Sequence, residues 1–467
     1  MRLSLACAVV LGTTACGSDE PVAAAGSTDF FESPRGAVDL DPSPEVLHVE
    51  LRAEPFVHHV AGQSIEGYAY NGQTPGPTLR AKVGDRLIVD FENALAEDTT
   101  IHWHGVHVPY AMDGVTWQSR PVAPGARFRY EFTLDHAGTF WYHPHFDSTG
   151  QVDRGLYGVL VVEEPSEPKL DDDLILVFDV WDEPAAGTHG MHRAPASDSG
   201  TRSPFGTRSD GTGAEYPQWT VNGLAKPHWK TRGGRAVRTR LLNASTTSYL
   251  DLRWPEIRQI ATDQGLLPRL LTPERIVLAP GDRAEVEWLI GESGFTLSGA
   301  PYSLFGSSIG SVASLLDVVV TESHPAPAEP VWPFTQDTAA TPDPGSTDIV
   351  YTFSGDLRTN DWRINGEKFP DVTITSLPLG TSAILEVRNA SPTEHPFHLH
   401  GHAFEVLSVN GTVPDTRLIE DTWNLAVRDL ARLRLVADNP GEWMAHCHIL
   451  QHADSGMMTV LRVGTPE

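Results

Sequence analysis

Residues 86–91 read Arg86-Leu87-Ile88-Val89-Asp90-Phe91. Apolar side chains recur at every second place, the period of a strand with one buried face. The pattern returns at Ala236-Val237-Arg238-Thr239-Arg240-Leu241 and at Ala383-Ile384-Leu385-Glu386-Val387-Arg388. Upstream of each copy stands an Asn-Gly pair, Asn71-Gly72, Asn222-Gly223 and Asn365-Gly366, a dipeptide that favours tight turns. Downstream, Ala123-Pro124-Gly125 leads into Phe128-Arg129-Tyr130-Glu131-Phe132, and Ala279-Pro280-Gly281 into Ala284-Glu285-Val286-Glu287-Trp288. In the last copy Leu430-Ala431-Arg432-Leu433-Arg434-Leu435 fills that place. Three β-sandwich domains of similar layout explain this better than one large fold. The expectation is an all-β chain with domains over 45–165, 168–325 and 345–467. The stretch from Pro184 to Pro217, dense in Gly, Ser, Thr and Asp, and the Pro/Ala-rich run from Pro325 to Pro344 read as loop and linker.

The composition agrees. A chain of 467 residues is too long for one core. Its 40% hydrophobic content, 36 Pro and 41 Gly suit a turn-rich all-β protein. Its 34 basic and 61 acidic residues leave a net charge of -27. Phosphates would be repelled, so nucleic acid is excluded as a partner; the charge reads as a solubility feature. Outside the N-terminus no apolar run is long enough to span a bilayer.

The first residues, Met1-Arg2-Leu3-Ser4-Leu5-Ala6-Cys7-Ala8-Val9-Val10-Leu11, read as a short signal peptide. Thr13-Thr14-Ala15-Cys16 resembles a lipobox, with Thr13 where Leu is usual. That resemblance implies a mature chain beginning at a lipidated Cys16, a possible membrane tether. Residues 17–44, rich in Gly, Ala, Ser, Pro and Asp, read as a flexible tether. The expected location is outside the cytoplasm, periplasmic or at the cell surface. Of three cysteines, only Cys447 lies in the body of the chain, so no internal disulfide is available.

Histidine occurs 20 times. Chance would give roughly one pair at H-x-H spacing; the chain has His102/His104, His143/His145, His398/His400, His400/His402 and His446/His448. Side chains two apart on a strand share a face, so each pair offers two imidazoles to one side. The pairs recur at equivalent points of the first and third repeats, where the second repeat has Tyr249-Leu250-Asp251. Facing each other, the two repeats would bring together His102, His104, His143, His145, His398, His400, His446 and His448, enough for several metal ions with open positions. Imidazole suits Cu, Zn, Fe and Ni, and structural zinc favours mostly Cys ligands.

A second set surrounds Cys447. His395, Cys447, His452 and Met457 supply two imidazoles, a thiolate and a thioether, the combination of a blue-copper electron-transfer site. Cys447 sits between His446 and His448, so one short piece of backbone would link this site to the cluster. The other histidines, His48, His58, His59, His107, His136, His189, His192, His228, His324 and His402, read as ordinary surface or core residues.

His102-Trp103-His104-Gly105, His143-Pro144-His145, His395-Pro396-Phe397-His398-Leu399-His400-Gly401 and His446-Cys447-His448-Ile449-Leu450-Gln451-His452 together resemble the four copper motifs of the multicopper oxidases, in particular three-domain bacterial and spore-coat laccases. The resemblance covers residues 45–467 and implies three cupredoxin-like Greek-key domains and four coppers. It assigns His395, Cys447, His452 and Met457 to a type 1 copper and His102 and His398 to a type 2 copper. The two type 3 coppers would take His104, His143 and His448, and His145, His400 and His446. Asp113, in Met112-Asp113-Gly114, reads either as a turn residue or, by the resemblance, as an acid that relays protons near the type 2 copper. Many relatives carry Glu directly after the second type 1 His; this chain has Ala453 there, with Asp454 one place on.

The reaction implied is reduction of dioxygen to water, coupled to one-electron oxidations of a donor. A copper nitrite reductase would not need eight cluster imidazoles, and a non-enzymatic copper-binding protein would not need all ten His, Cys447 and Met457. The chain has only six Met, few soft ligands for Cu(I). Phenols or aromatic amines are the expected donors, with Cu(I) as the alternative.

Overall fold

The computed structural model describes residues 30–117, 120–181, 208–209, 215–216, 218–300, 302, 313–335 and 339–464. The stretch expected to be a signal peptide, Cys16 and most of the stretch expected to be a loop over 184–217 lie outside them. The architecture is all-β, three cupredoxin-like sandwiches of two sheets each.

The alternating segments are the central strands Arg86–Asn93, Arg235–Asn243 and Thr381–Asn389. Each pairs in parallel with the opening strand of its domain, Val46–Val60, Asp172–Trp181 or Ile349–Asp356. Each pairs antiparallel with the downstream matched strand, Arg127–Thr133, Arg283–Ile290 or Leu430–Ala437.

The Asn-Gly pairs do more than turn the chain. Both residues take positive φ in all three, 52° and 67° at Asn71-Gly72, 53° and 79° at Asn222-Gly223, and 54° and 77° at Asn365-Gly366, as a type I′ turn requires. Each Asn side chain then clips the opening strand at residues two apart. Asn71 accepts from the Arg52 amide and donates to the Glu50 carbonyl. Asn222 does so with Val177 and Ile175, and Asn365 with Thr352 and Val350.

A second repeated device closes each central strand. Asn93, Asn243 and Asn389 each donate to two or more backbone carbonyls of the following loop and neighbouring strand, and each accepts an amide two residues on. In the third domain this ties down the Ser391–Thr393 turn that leads into His395.

The second sheet of the first domain runs Gly76–Lys82, Gly158–Glu163, Gly138–His143, His102–His104. That of the third runs Thr375–Leu377, Met458–Val463, Gly441–Cys447, His395–Leu399, Thr422–Leu425. These two sheets carry the histidine motifs. One apolar cluster runs through both domains, from Leu87 and Trp103 to Phe397 and Trp443, and the middle domain has its own core.

Two expectations change. The stretch expected as a tether is docked from residue 30 onward: the Phe31 amide donates to the His228 carbonyl, Ser33 Oγ accepts from the Ile175 amide, and Phe31 is buried. The interior polar positions of the middle domain's matched strands, Arg235–Asn243 and Arg283–Ile290, do not face water. Arg238, Arg240, Glu285 and Glu287 are all buried: Thr139 of the first domain donates to Glu285 and accepts from Arg240, Trp332 donates to Glu287, and the Arg238 guanidinium lies over the Trp332 ring. Among the described residues no helix is long and apolar enough to cross a membrane.

Candidate metal centres

Register brings the imidazoles into opposition. His102 lies opposite His143 and His104 opposite Trp141; His398 lies opposite His446 and Phe397 opposite Cys447. The first and third domains then meet face to face. His104 stacks on His398 with centroids 3.7 Å apart, and His102 on His400 at 3.9 Å. Of the eight, only His145 is half-buried; the others are buried.

The ring nitrogens divide into an outer and an inner set. Nδ1 of His102 donates to the Asp113 carbonyl (3.0 Å), of His143 to Pro144 (3.0 Å), of His398 to Asp421 (2.9 Å) and of His446 to Cys447 (2.9 Å). Nδ1 of His400 donates to the Asp113 carboxylate at 2.9 Å. His104 is reversed: its Nε2 donates to Asp421 Oδ1 at 3.0 Å. The inner atoms are Nε2 of His102, His143, His145 and His398 and Nδ1 of His104, all buried with no hydrogen-bond partner; both nitrogens of His448 are likewise unpartnered. Nε2 of His400 and of His446 face each other at 3.0 Å. Unpaired buried acceptors of this kind are costly, and a shared metal ion resolves them. One ligand atom from each residue lies within 4.8 Å of the others in the sets His104, His143, His448; His145, His400, His446; and His102, His104, His398, and a further set, His102, Asp113, His400, gathers at the Asp113 carboxylate on the outer side.

The electrostatics suit ligation by neutral imidazole. Burial, with neighbouring histidines adding to it, pushes His104, His143, His145, His400 and His448 well below the usual histidine range, and brings His446 to about 3. Asp421 is also shifted down, which for a carboxyl favours the charged form. Burial alone would raise its carboxyl, but the Arg283 charge and the hydrogen bonds from Arg283 and His104 hold it well below the ordinary range.

The second set is equally compact. His395 Nδ1 is 3.3 Å from Cys447 Sγ, His452 Nδ1 is 3.7 Å from Sγ, and the two Nδ1 atoms are 3.2 Å apart. Ser391 Oγ holds His395 Nε2 at 2.6 Å, and the Trp362 ring lies on His452 at 4.0 Å. Met457 is buried in the returning loop; its carbonyl accepts from the Cys447 amide and its amide donates to the His452 carbonyl. Burial pushes the Cys447 thiol up and His452 down to about 3. Soft thiolate with two imidazoles fits copper.

Every ligand position read from the sequence thus falls into one of two adjoining clusters, Met457 by its place in the loop. His402 stays outside: its Nδ1 is turned to the His400 carbonyl. Ala453 is buried, and the neighbouring Asp454 turns to Thr149, accepting from its amide and hydroxyl. Sequence reading missed Ser391, Asp421, Thr422 and Arg283. Thr422 Oγ1 sits 3.0 Å from His104 Nε2 and 3.2 Å from His398 Nδ1. None of the four lies in a motif with ligand spacing.

Two histidine-bearing sandwiches around a shared cluster, beside a Cys-His₂ site, define a copper oxidase. The first and third domains match profiles described as multicopper oxidase over residues 57–167 and 341–467, and the chain belongs to that family. It is 29% identical to the multicopper oxidase MmcO of Mycobacterium tuberculosis, over 96% of this chain and 93% of that one. It is 30% identical to the multicopper oxidase mco of Staphylococcus haemolyticus, over 84% and 83%. The solved multi-copper oxidase of Pseudomonas thermotolerans shares 32% identity and superposes with a TM-score of 0.74, over 90% of this chain and 100% of that one. The protein is a copper oxidoreductase that uses dioxygen as acceptor, with four coppers of type 1, type 2 and type 3.

Proposed function

We propose that His395, Cys447, His452 and Met457 hold the type 1 copper and that His102 and His398 hold type 2. The type 3 pair takes His104, His143 and His448 on one side and His145, His400 and His446 on the other. The observation that carries this is the grouping of ligand atoms within 4.8 Å of one another in His395, Cys447, His452, in His104, His143, His448, in His145, His400, His446 and in His102, His104, His398, most of the cluster's inward nitrogens having no hydrogen-bond partner. Copper held by these residues would supply one-electron oxidation of the donor and the reduction of dioxygen, with four electrons and four protons, to two waters. The protein aims His102, His104, His143, His398, His400 and His446 by outer hydrogen bonds, and buries the cluster. Cys447 joins the two sites, with His446 and His448 on either side of it. Asp113 contacts His102 and His400 and serves as the acid beside the cluster.

The donor reaches the type 1 site at His452. That residue is 8% exposed, whereas His395, Cys447 and Met457 are 0%. Outer-sphere transfer at an imidazole edge needs proximity rather than specific ligation, which suits phenols and aromatic amines; Cu(I) would want thioethers that this chain largely lacks. Steady-state rates with a methoxyphenol and with Cu(I) decide between them. Faster phenol turnover is expected, and a strong Cu(I) preference with negligible phenol turnover would overturn this donor. The N-terminal sequence supports export to the periplasm or cell surface with a lipid tether at Cys16; Cys16→Ser should then move the protein from the membrane to the soluble fraction.

A further inference from the structure

The middle domain supplies none of the histidines above, yet one of its side chains reaches the cluster. Arg283 is 2% exposed and uses all five of its N–H donors. Nε donates to the Thr139 carbonyl of the first domain at 3.0 Å. Nη1 donates to the Gly281 carbonyl (3.1 Å) and to Asp421 Oδ1 (2.8 Å). Nη2 donates to the Asp263 carbonyl (3.1 Å) and to Asp421 Oδ2. One guanidinium is thereby fixed across three domains and forks onto a carboxylate of the third.

Asp421 in turn meets His104, whose Nε2 donates to Oδ1 at 3.0 Å. Gln264 Nε2, also from the middle domain, donates to Oδ2 at 2.5 Å. With the proton held on Nε2, the lone pair of His104 is on Nδ1, the atom left unpartnered inside the cluster. His102, His143, His398, His400 and His446 all donate outward through Nδ1, so His104 is held the opposite way round. Gly105 makes room for the device: a Cβ there would sit 2.5 Å from Asp421 Oδ2 and 2.6 Å from Arg283 Nη2.

We propose that Arg283 is a positioning residue of the trinuclear centre, acting through Asp421 to keep His104 protonated on Nε2 with Nδ1 turned to the metal. This rests on the ligand reading given above, in which His104 holds a type 3 copper. A carboxylate-histidine-metal relay gains from a fixed, charged partner, and its loss weakens metal binding about 10- to 100-fold. Removing Arg283 alone would strand a buried Asp421 charge, so the informative variants keep the charge balanced or leave the pair in place.

The experiment compares the copper-loaded parent with Arg283→Lys, with Arg283→Met combined with Asp421→Asn, and with Gly105→Ala. It reads the blue type 1 absorption, copper per chain and the electron paramagnetic resonance spectrum, in which a coupled type 3 pair is silent. The balanced double variant and Gly105→Ala should keep the blue band but either lose cluster copper or show new copper resonance. Arg283→Lys, which keeps the charge without the fork, should stand between them and the parent. A silent pair and full copper content in all three would overturn the proposal. So would loss of the blue band in step with cluster copper, which would give Arg283 a role in the whole fold instead. His104→Ala is the control: if it leaves copper content and spectrum unchanged, the ligand reading fails and the proposal falls with it.

Discussion

The carboxylate of Asp113, in the first domain, accepts a hydrogen bond from Nδ1 of His400, in the third, over 2.9 Å. Its other oxygen is 3.2 Å from Nδ1 of His102, which donates to the Asp113 carbonyl, so one residue aims an imidazole from each half of the cluster. Asp113→Asn keeps the shape and removes the acid. Oxygen reduction should slow by about 10²-fold or more, while copper content stays near the parent's. Turnover equal to the parent's across the pH range would reduce Asp113 to the turn residue that its Asp-Gly sequence also suggests.

Gly281 tests how tightly the middle domain presses on the cluster. Its φ is +90°, and a Cβ there would lie 2.9 Å from both Cγ and Nδ1 of His448. Gly281→Ala should cost about 1–3 kcal/mol from backbone strain and should displace the His448 ring. The expected result is a lower melting temperature together with weaker cluster copper and an intact blue band. A melting shift with no change in copper retention would mean that His448 yields freely.

Copper uptake at the type 1 site should release one proton. In the metal-free protein burial raises the Cys447 thiol, so it carries its proton at neutral pH, while the depressed His395 and His452 are already neutral. Only the thiol must deprotonate on binding, so apparent affinity should rise with pH, about tenfold per unit for one proton. Titration calorimetry in buffers of different ionisation enthalpy measures this directly. Affinity that falls as pH rises would contradict the assigned sign.

Much of this was legible in the sequence because it is carried by local period and spacing. Alternation located the central strands, Asn-Gly the turns, and H-x-H the faces that carry ligands. What stayed hidden depends on contacts between distant segments. Glu285 and Glu287 alternate with apolar neighbours as a solvent-facing row would, but domain packing buries them against Arg238, Arg240 and Arg258. Arg283 and Asp421 are 138 residues apart, and neither stands at a spacing that a metal motif would require. Residues 30–44 look like a tether by composition, and only the surfaces of two domains show that their start is docked.

If Cys447 anchors a copper beside the histidine cluster, the absorption spectrum and copper content of the purified holoprotein and of its Cys447→Ser variant differ in a defined way. The parent should be blue and hold four coppers per chain. Cys447→Ser should lose the blue band, which comes from charge transfer between thiolate and copper, and should retain the cluster copper. A blue band that survives the substitution, or a colourless parent fully loaded with copper, would contradict the account.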